Sequence, residues 1–253
     1  MNRTLAVLAF ALTIPVFAAH AQAPTSKPAM LKKLKFLTDA ETDPSKILPP
    51  PAADGSEAQQ KEMKEVKALI HNRSKERHDQ AIWDARNENP SPFITVLGPE
   101  LDLAKLPATK KLLDDVLNEQ NVATSHAKDY FKRKFPLSAA DDNDTFADWT
   151  CDVTARKPAA LPLRSYPSGH ATMGFTLGVV LSDLVPEKSQ ALLARSATYA
   201  YSREVCGDHY HSDTQAGQVL GTVLGFKLLK NEALRPEIEA ARAELQAATK
   251  GAK

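Results

Sequence analysis

Three apolar-periodic runs follow one another between Met173 and Lys230, and no strand-like alternation of useful length occurs anywhere in the chain. This pattern limits the fold more than any other feature. Met173 to Leu184 is almost wholly apolar, which predicts a helix buried on all sides. Glu187 to Ser202, with Leu192, Leu193, Ala197 and Ala200, predicts a second helix. His211 to Lys230 predicts a third, with Ala216, Val219, Leu220, Val223, Leu224 and Leu228 at helical spacing. Upstream, Ser56 followed by Glu57 and Gln59 reads as a helix start. Met63, Val66 and Ile70 then fall at three- and four-residue steps in a helical stretch reaching about Asn87. Two further helices are expected, from Thr109 to Gln120 after the Leu106-Pro107 break and from Ser125 to Lys134. Pro236 to Ala247 predicts a last one, opening on a proline that a first turn tolerates. The expected fold is all-α, a single-domain helical bundle of a size that 253 residues suit.

The N-terminus reads as an export leader. Arg3 precedes an apolar run from Leu5 to Ala18, and Ala19-His20-Ala21 supplies the small residues that a signal peptidase reads. The run is shorter than the roughly 20 residues of a membrane span, so cleavage after Ala21 is expected, with an uncut anchor as the alternative. Residues 1–21 are then a signal peptide, 22–56 a Pro-rich arm and 57–253 the helical domain. No later stretch is apolar enough to span a membrane, so no membrane association is expected after cleavage. With 32 Lys+Arg against 31 Asp+Glu, the chain lacks the basic excess of a duplex nucleic-acid binder. Two cysteines cannot make a four-thiolate zinc site. Export permits a disulfide, for which Cys151 and Cys206 are the one available pair, and two free buried thiols are the alternative.

Two short segments concentrate the chemistry. Tyr166-Pro167-Ser168-Gly169-His170 stands just before the most apolar run. A serine hydroxyl, a glycine amide and a histidine at a helix N-terminus can cradle an anion, although a simple capping turn would use the same residues. The second segment runs from Ser202 to Asp213. Arg203 offers a forked donor suited to phosphate oxygens. His209 and Asp213 are four apart, so a carboxylate could hold one imidazole nitrogen and leave the other to attack. An exposed polar loop between buried helices is the plainer reading of this segment.

Together the two segments resemble the signature of the type 2 phosphatidic acid phosphatase superfamily. Its Pro-Ser-Gly-His motif stands at Pro167 to His170. Its Ser-Arg, five residues, His, three residues, Asp motif stands at Ser202-Arg203, His209 and Asp213. The text from Tyr166 through Leu220, and the Pro-rich Leu48 to Ser56, is similar to the soluble periplasmic class A acid phosphatases of bacteria. The resemblance implies a periplasmic acid phosphatase that hydrolyses small phosphomonoesters through a phosphohistidine, without a metal or other cofactor. It implies His209 as nucleophile, Asp213 as its orienting carboxylate and His170 as acid and base. Lys128, Ser168, Gly169 and Arg203 would bind the phosphoryl oxygens. A homodimer is suggested by the same resemblance, and the physiological substrate is left open.

The first motif departs from the family. A lysine, six residues and Arg-Pro are expected, but Lys128 is followed at that distance by Phe135-Pro136. The phosphate clamp is thus short of one bidentate donor, which Lys132, Arg133, Lys134 or Arg156 could supply from nearby. Two other readings use the same residues: a noncatalytic phosphate-binding homologue, which Phe135 keeps open, and a vanadate-dependent haloperoxidase. A metal-hydrolase reading of His209-x-His211-x-Asp213 fares worse, because Thr214 stands where a further histidine would be needed.

Overall fold

The computed structural model describes residues 33–98, 101–140, 149, 151 and 161–250. The expected leader and cleavage point lie outside the described residues, as does Arg156. Among the described residues there are nine α-helices and no strand. They are α1 (Pro44–Ile47), α2 (Glu57–Asn72), α3 (Lys75–Arg86), α4 (Ser91–Leu97), α5 (Pro107–Phe131), α6 (Gly169–Leu184), α7 (Ser189–Val205), α8 (His211–Leu229) and α9 (Arg235–Lys250). None of the described helices is long and apolar enough to cross a membrane.

The most apolar run becomes the centre of the bundle. α6 is buried along nearly its whole length and packs most extensively against α8 and α7. α8 approaches closely because Gly217, Gly221 and Gly225 form the face it turns to α6. A Cβ at Gly217 would stand 2.8 Å from the Ser168 carbonyl oxygen, and one at Gly225 2.8 Å from Val179 Cβ. Larger residues there would force the helices apart, and with them the two segments that carry the chemistry. α7 is tied to α6 by Ser196 Oγ, which donates to the Gly174 carbonyl at 2.8 Å. α5 lies against α6 and α9, and α3 against α7.

The stretch from Ser56 to Asn87 is two helices rather than one. Ser56 caps α2 by accepting from the Gln59 amide at 3.2 Å. Ser74 caps α3 by accepting from the Arg77 amide at 3.2 Å. A second capping serine inside the stretch starts a new helix. The opposite correction applies to α5, which runs unbroken for 25 residues where two helices were expected. Val122, Ala123 and Thr124 are buried on it, and Gln120 Nε2 donates to Thr124 Oγ1 at 2.9 Å. Packing thus carries the helix through a segment of weak intrinsic propensity.

Residues 33–56 lie along the bundle instead of forming a core of their own. The buried Glu119 carboxylate of α5 accepts from the backbone amides of Lys35 at 2.7 Å, Phe36 at 3.3 Å and Leu37 at 2.9 Å. Leu37 and Leu48 join the main core. Cys151 and Cys206 are joined by a disulfide across 55 residues. Closing a loop of that length contributes roughly 4 kcal/mol in the chain-entropy account.

Candidate active site

The two chemical segments meet where α6 and α8 begin and α5 and α7 end. Ser168 caps α6, Gly169 is its first residue and His170 its second. The first amides of a helix have no intrahelical partner, so the Gly169 N–H is available to an anion. The Tyr166-Pro167 peptide is cis. The Ser168 amide donates to the Asp213 carbonyl at 2.9 Å, which stitches the start of α6 to that of α8.

His209 and Asp213 form a buried pair. His209 Nδ1 donates to Asp213 Oδ2 at 3.2 Å, with His209 5% exposed and Asp213 wholly buried. The carboxylate also accepts from Ser165 Oγ at 2.6 Å, the Tyr210 amide at 3.0 Å and Arg133 Nη1 at 2.6 Å. Burial alone would raise the Asp213 pKa, but the His209 hydrogen bond and the Arg133 charge outweigh it and hold the carboxyl below its ordinary value. Burial pushes His209 down to about 4, against the pull of Asp213. The ring is therefore neutral near pH 5 and above. With Nδ1–H given to Asp213, the Nε2 lone pair is the free one.

His170 stands in looser surroundings. Its Nε2 lies 3.4 Å from the Ala85 carbonyl and its Nδ1 3.5 Å from Glu88 Oε1. Burial first, then the charges of Arg203 and Lys128, holds its pKa well below the ordinary value. Glu88, 54% exposed, has its pKa raised by partial desolvation, which the Arg203 and Lys128 charges oppose.

Two cations flank these histidines. Lys128 is partly buried near the end of α5 and donates to the Arg164 carbonyl. Burial brings its pKa down to about 8. Its Cε lies 3.9 Å from where a Cβ on Gly169 would be, beside the α6 N-terminus. Arg203 is nearly buried and donates through Nη2 to Asp208 Oδ2 at 2.6 Å. Its buried Nε has no hydrogen-bond partner among the described residues, a donor that a bound anion would satisfy. Ser202 of the same motif is structural: its hydroxyl donates to the buried Asp84, which also binds Arg195.

The departure in the first motif has a defined geometry. Phe135 places its ring 5.5 Å from the His209 ring and 5.9 Å from Lys128 Nζ, centroid to atom in the second case. Of the nearby cations, Lys132 ends α5 in the left-handed region (φ 50°) and is exposed. Lys134 pairs with Asp54 at 3.3 Å on the surface. Arg133 alone among these three turns inward, to Asp213. Sequence reasoning missed Ser165, Glu62 and Glu88. Ser165 directly precedes the Tyr166–His170 segment, which was the available signal. Glu62 precedes Met63 on the apolar side of α2.

Residues 116–233, which span Lys128 through Asp213, match the PAP2 superfamily. An acid phosphatase of Zymomonas mobilis is 29% identical over 210 residues, covering 82% of this chain and 77% of that protein. A non-specific acid phosphatase of Salmonella typhimurium is 33% identical over 158 residues, covering 60% of this chain and 59% of that protein. A non-specific acid phosphatase of Providencia stuartii is 28% identical over 227 residues, covering 87% and 86%. The residues gathered at the head of α6 and α8 thus lie within the stretch that matches the PAP2 superfamily, in a chain similar over most of its length to bacterial acid phosphatases.

Proposed function

We propose that the protein is an acid phosphatase that hydrolyses small phosphomonoesters through a phosphohistidine on His209, with no metal ion. The observation that carries this reading is the buried His209–Asp213 pair beside Lys128, Arg203 and the α6 N-terminus. In the first step the His209 Nε2 lone pair forms a bond to phosphorus. The bond to the ester oxygen breaks, and His170 gives its proton to the departing alkoxide. In the second step His170 takes a proton from water, whose oxygen attacks phosphorus as the phosphorus–nitrogen bond breaks. The pair returns to Nε2 and inorganic phosphate leaves. Asp213 stabilises the positive charge that the imidazole gains. Lys128, Arg203 and the Gly169 amide, with Ser168 at the same turn, meet the nonbridging oxygens, where positioning and charge do most of the catalytic work.

His170 has a depressed pKa in the free protein. A bound phosphate dianion favours its protonated form, so substrate itself loads the acid. The protein acts after export, with residues 1–21 removed. The leader pattern and a disulfide suited to an oxidising compartment support this.

The test is hydrolysis of p-nitrophenyl phosphate at acid pH by the purified protein, with EDTA, with vanadate and beside His209→Ala. Turnover should survive EDTA, fall with vanadate and drop by at least about 10⁴-fold in the variant. Loss of turnover with EDTA would overturn the metal-free mechanism. Phosphate binding without turnover on a panel of esters would favour the noncatalytic reading.

A further inference from the structure

We propose that Arg133 is a positioning residue of the nucleophile: its guanidinium holds the Asp213 carboxylate, and through it the His209 ring, and takes no part in gripping phosphate. The inference rests on the phosphatase reading above and deepens it. Arg133 is 3% exposed. Its Nη1 donates to Asp213 Oδ1 at 2.6 Å and to Ser212 Oγ at 2.7 Å. Its Nη2 donates to Glu62 Oε2 at 2.5 Å. The guanidinium carbon lies 4.1 Å from the centre of the Tyr210 ring. Both terminal nitrogens are thus committed on the Asp213 side, and of the three guanidinium nitrogens the buried Nε alone has no partner among the described residues, so the terminal pair is not available for a bidentate grip on phosphate.

The chain reaches this arrangement in a few steps. Lys132 ends α5 in a left-handed turn, and the Arg133 carbonyl accepts from the Ser165 amide at 3.0 Å. Ser212 donates to the other oxygen of Glu62, closing a ring of Glu62, Arg133 and Ser212 from which Arg133 reaches Asp213. Two residues on, Phe135 lies against the His209 ring. An arginine at 133 therefore orients the nucleophile, while position 135 offers an apolar face. That leaves Lys128 and Arg203 as the side-chain cations for the phosphoryl group.

The charged and titratable groups facing His209 are Asp213 from α8, Lys128 from α5, Arg203 from α7 and His170 from α6. Arg133 reaches it only through Asp213. Removing the guanidinium leaves the carboxylate's field on the imidazole uncompensated, which favours the imidazolium and withdraws the lone pair.

The experiment compares full-length wild type, Arg133→Met and Arg133→Lys. Readouts are kcat and KM on p-nitrophenyl phosphate, the inhibition constant of inorganic phosphate, and the His209 imidazole titration by ¹⁵N NMR. In Arg133→Met, kcat should fall on the order of 100-fold, a part of what losing a triad carboxylate costs. KM and the phosphate constant should stay within about threefold, and the His209 titration should move to higher pH. Arg133→Lys should recover part of the rate, since one ammonium reaches Asp213 or Glu62 but lacks the fork. A phosphate constant raised tenfold or more with kcat retained would overturn the proposal, as would an unchanged kcat. If the methionine variant does not fold, the lysine variant carries the same criteria, with an expected kcat loss of about tenfold. Failure of the phosphatase reading would instead appear as a wild type without turnover, while the His209 titration would still report on Arg133.

Discussion

In the proposed mechanism His209 and His170 serve one reaction centre, yet their surroundings differ in kind. His209 is bound to a carboxylate that four donors fix, counting the histidine itself, and that carboxylate is wholly buried. His170 has contacts of 3.4 and 3.5 Å, one of them to a carboxylate that is 54% exposed. A nucleophile must present one lone pair in line with phosphorus, so rigidity favours it. A group that gives a proton in one step and takes one in the next benefits from weaker restraint. Both pKa values are lowered by burial, but bound phosphate acts on them differently. His170 needs the dianion to stay protonated, whereas His209 works neutral.

Breaking the tighter pair should have the larger effect. Asp213→Asn removes the carboxylate and presents an amide that can donate to His209, which favours the wrong tautomer. Loss of kcat by about 10³- to 10⁴-fold is expected in steady-state assays, with phosphate affinity nearly unchanged. A pH profile sharpens the comparison next. The acid limb of kcat/KM should follow His209, near 4, where protonation removes the lone pair. The alkaline limb should lie below the ordinary histidine value, following His170, and well before Lys128 loses its proton near 8. The alkaline limb of kcat should sit at higher pH than that of kcat/KM, because bound phosphate holds the His170 proton. The smallest effect is expected from Glu88→Gln. Removing this charge lowers the preference for a protonated His170, so the alkaline limb should move down while maximal kcat changes by less than about threefold. A loss like that of Asp213→Asn would make the two histidines equivalent and end the distinction drawn here.

Much of the bundle could be read from periodicity. The start of α2 at Ser56 and the three helices after His170 follow from capping chemistry and apolar spacing. The continuity of α5 could not, because Asn121, Val122 and Thr124 are weak helix formers and burial decides their state. At the site, His209 and Asp213 were readable because both lie on one short stretch. The roles of Arg133 and Phe135 were not. They are two residues apart, and the left-handed turn at Lys132 decides which one faces Asp213. Glu62 and Glu88 reach the site only through the packing of α2 and the segment after α3, over sequence distances that no spacing rule covers.

The length of α5 has a mechanical consequence. At 1.5 Å per residue its 25 residues make a rod of about 38 Å. Near its start, Glu244 of α9 anchors the amides of Ala108 and Thr109. At mid-length, Glu119 moors the strap of residues 35–37. Near its far end sits Lys128, with Arg133 just beyond. The strap and the tail of the fold are thus lashed to the same beam that carries Lys128, the cation proposed to bind phosphate. Trimming either one loosens the beam itself, so a shortened chain would register the damage at the site, far from the cut.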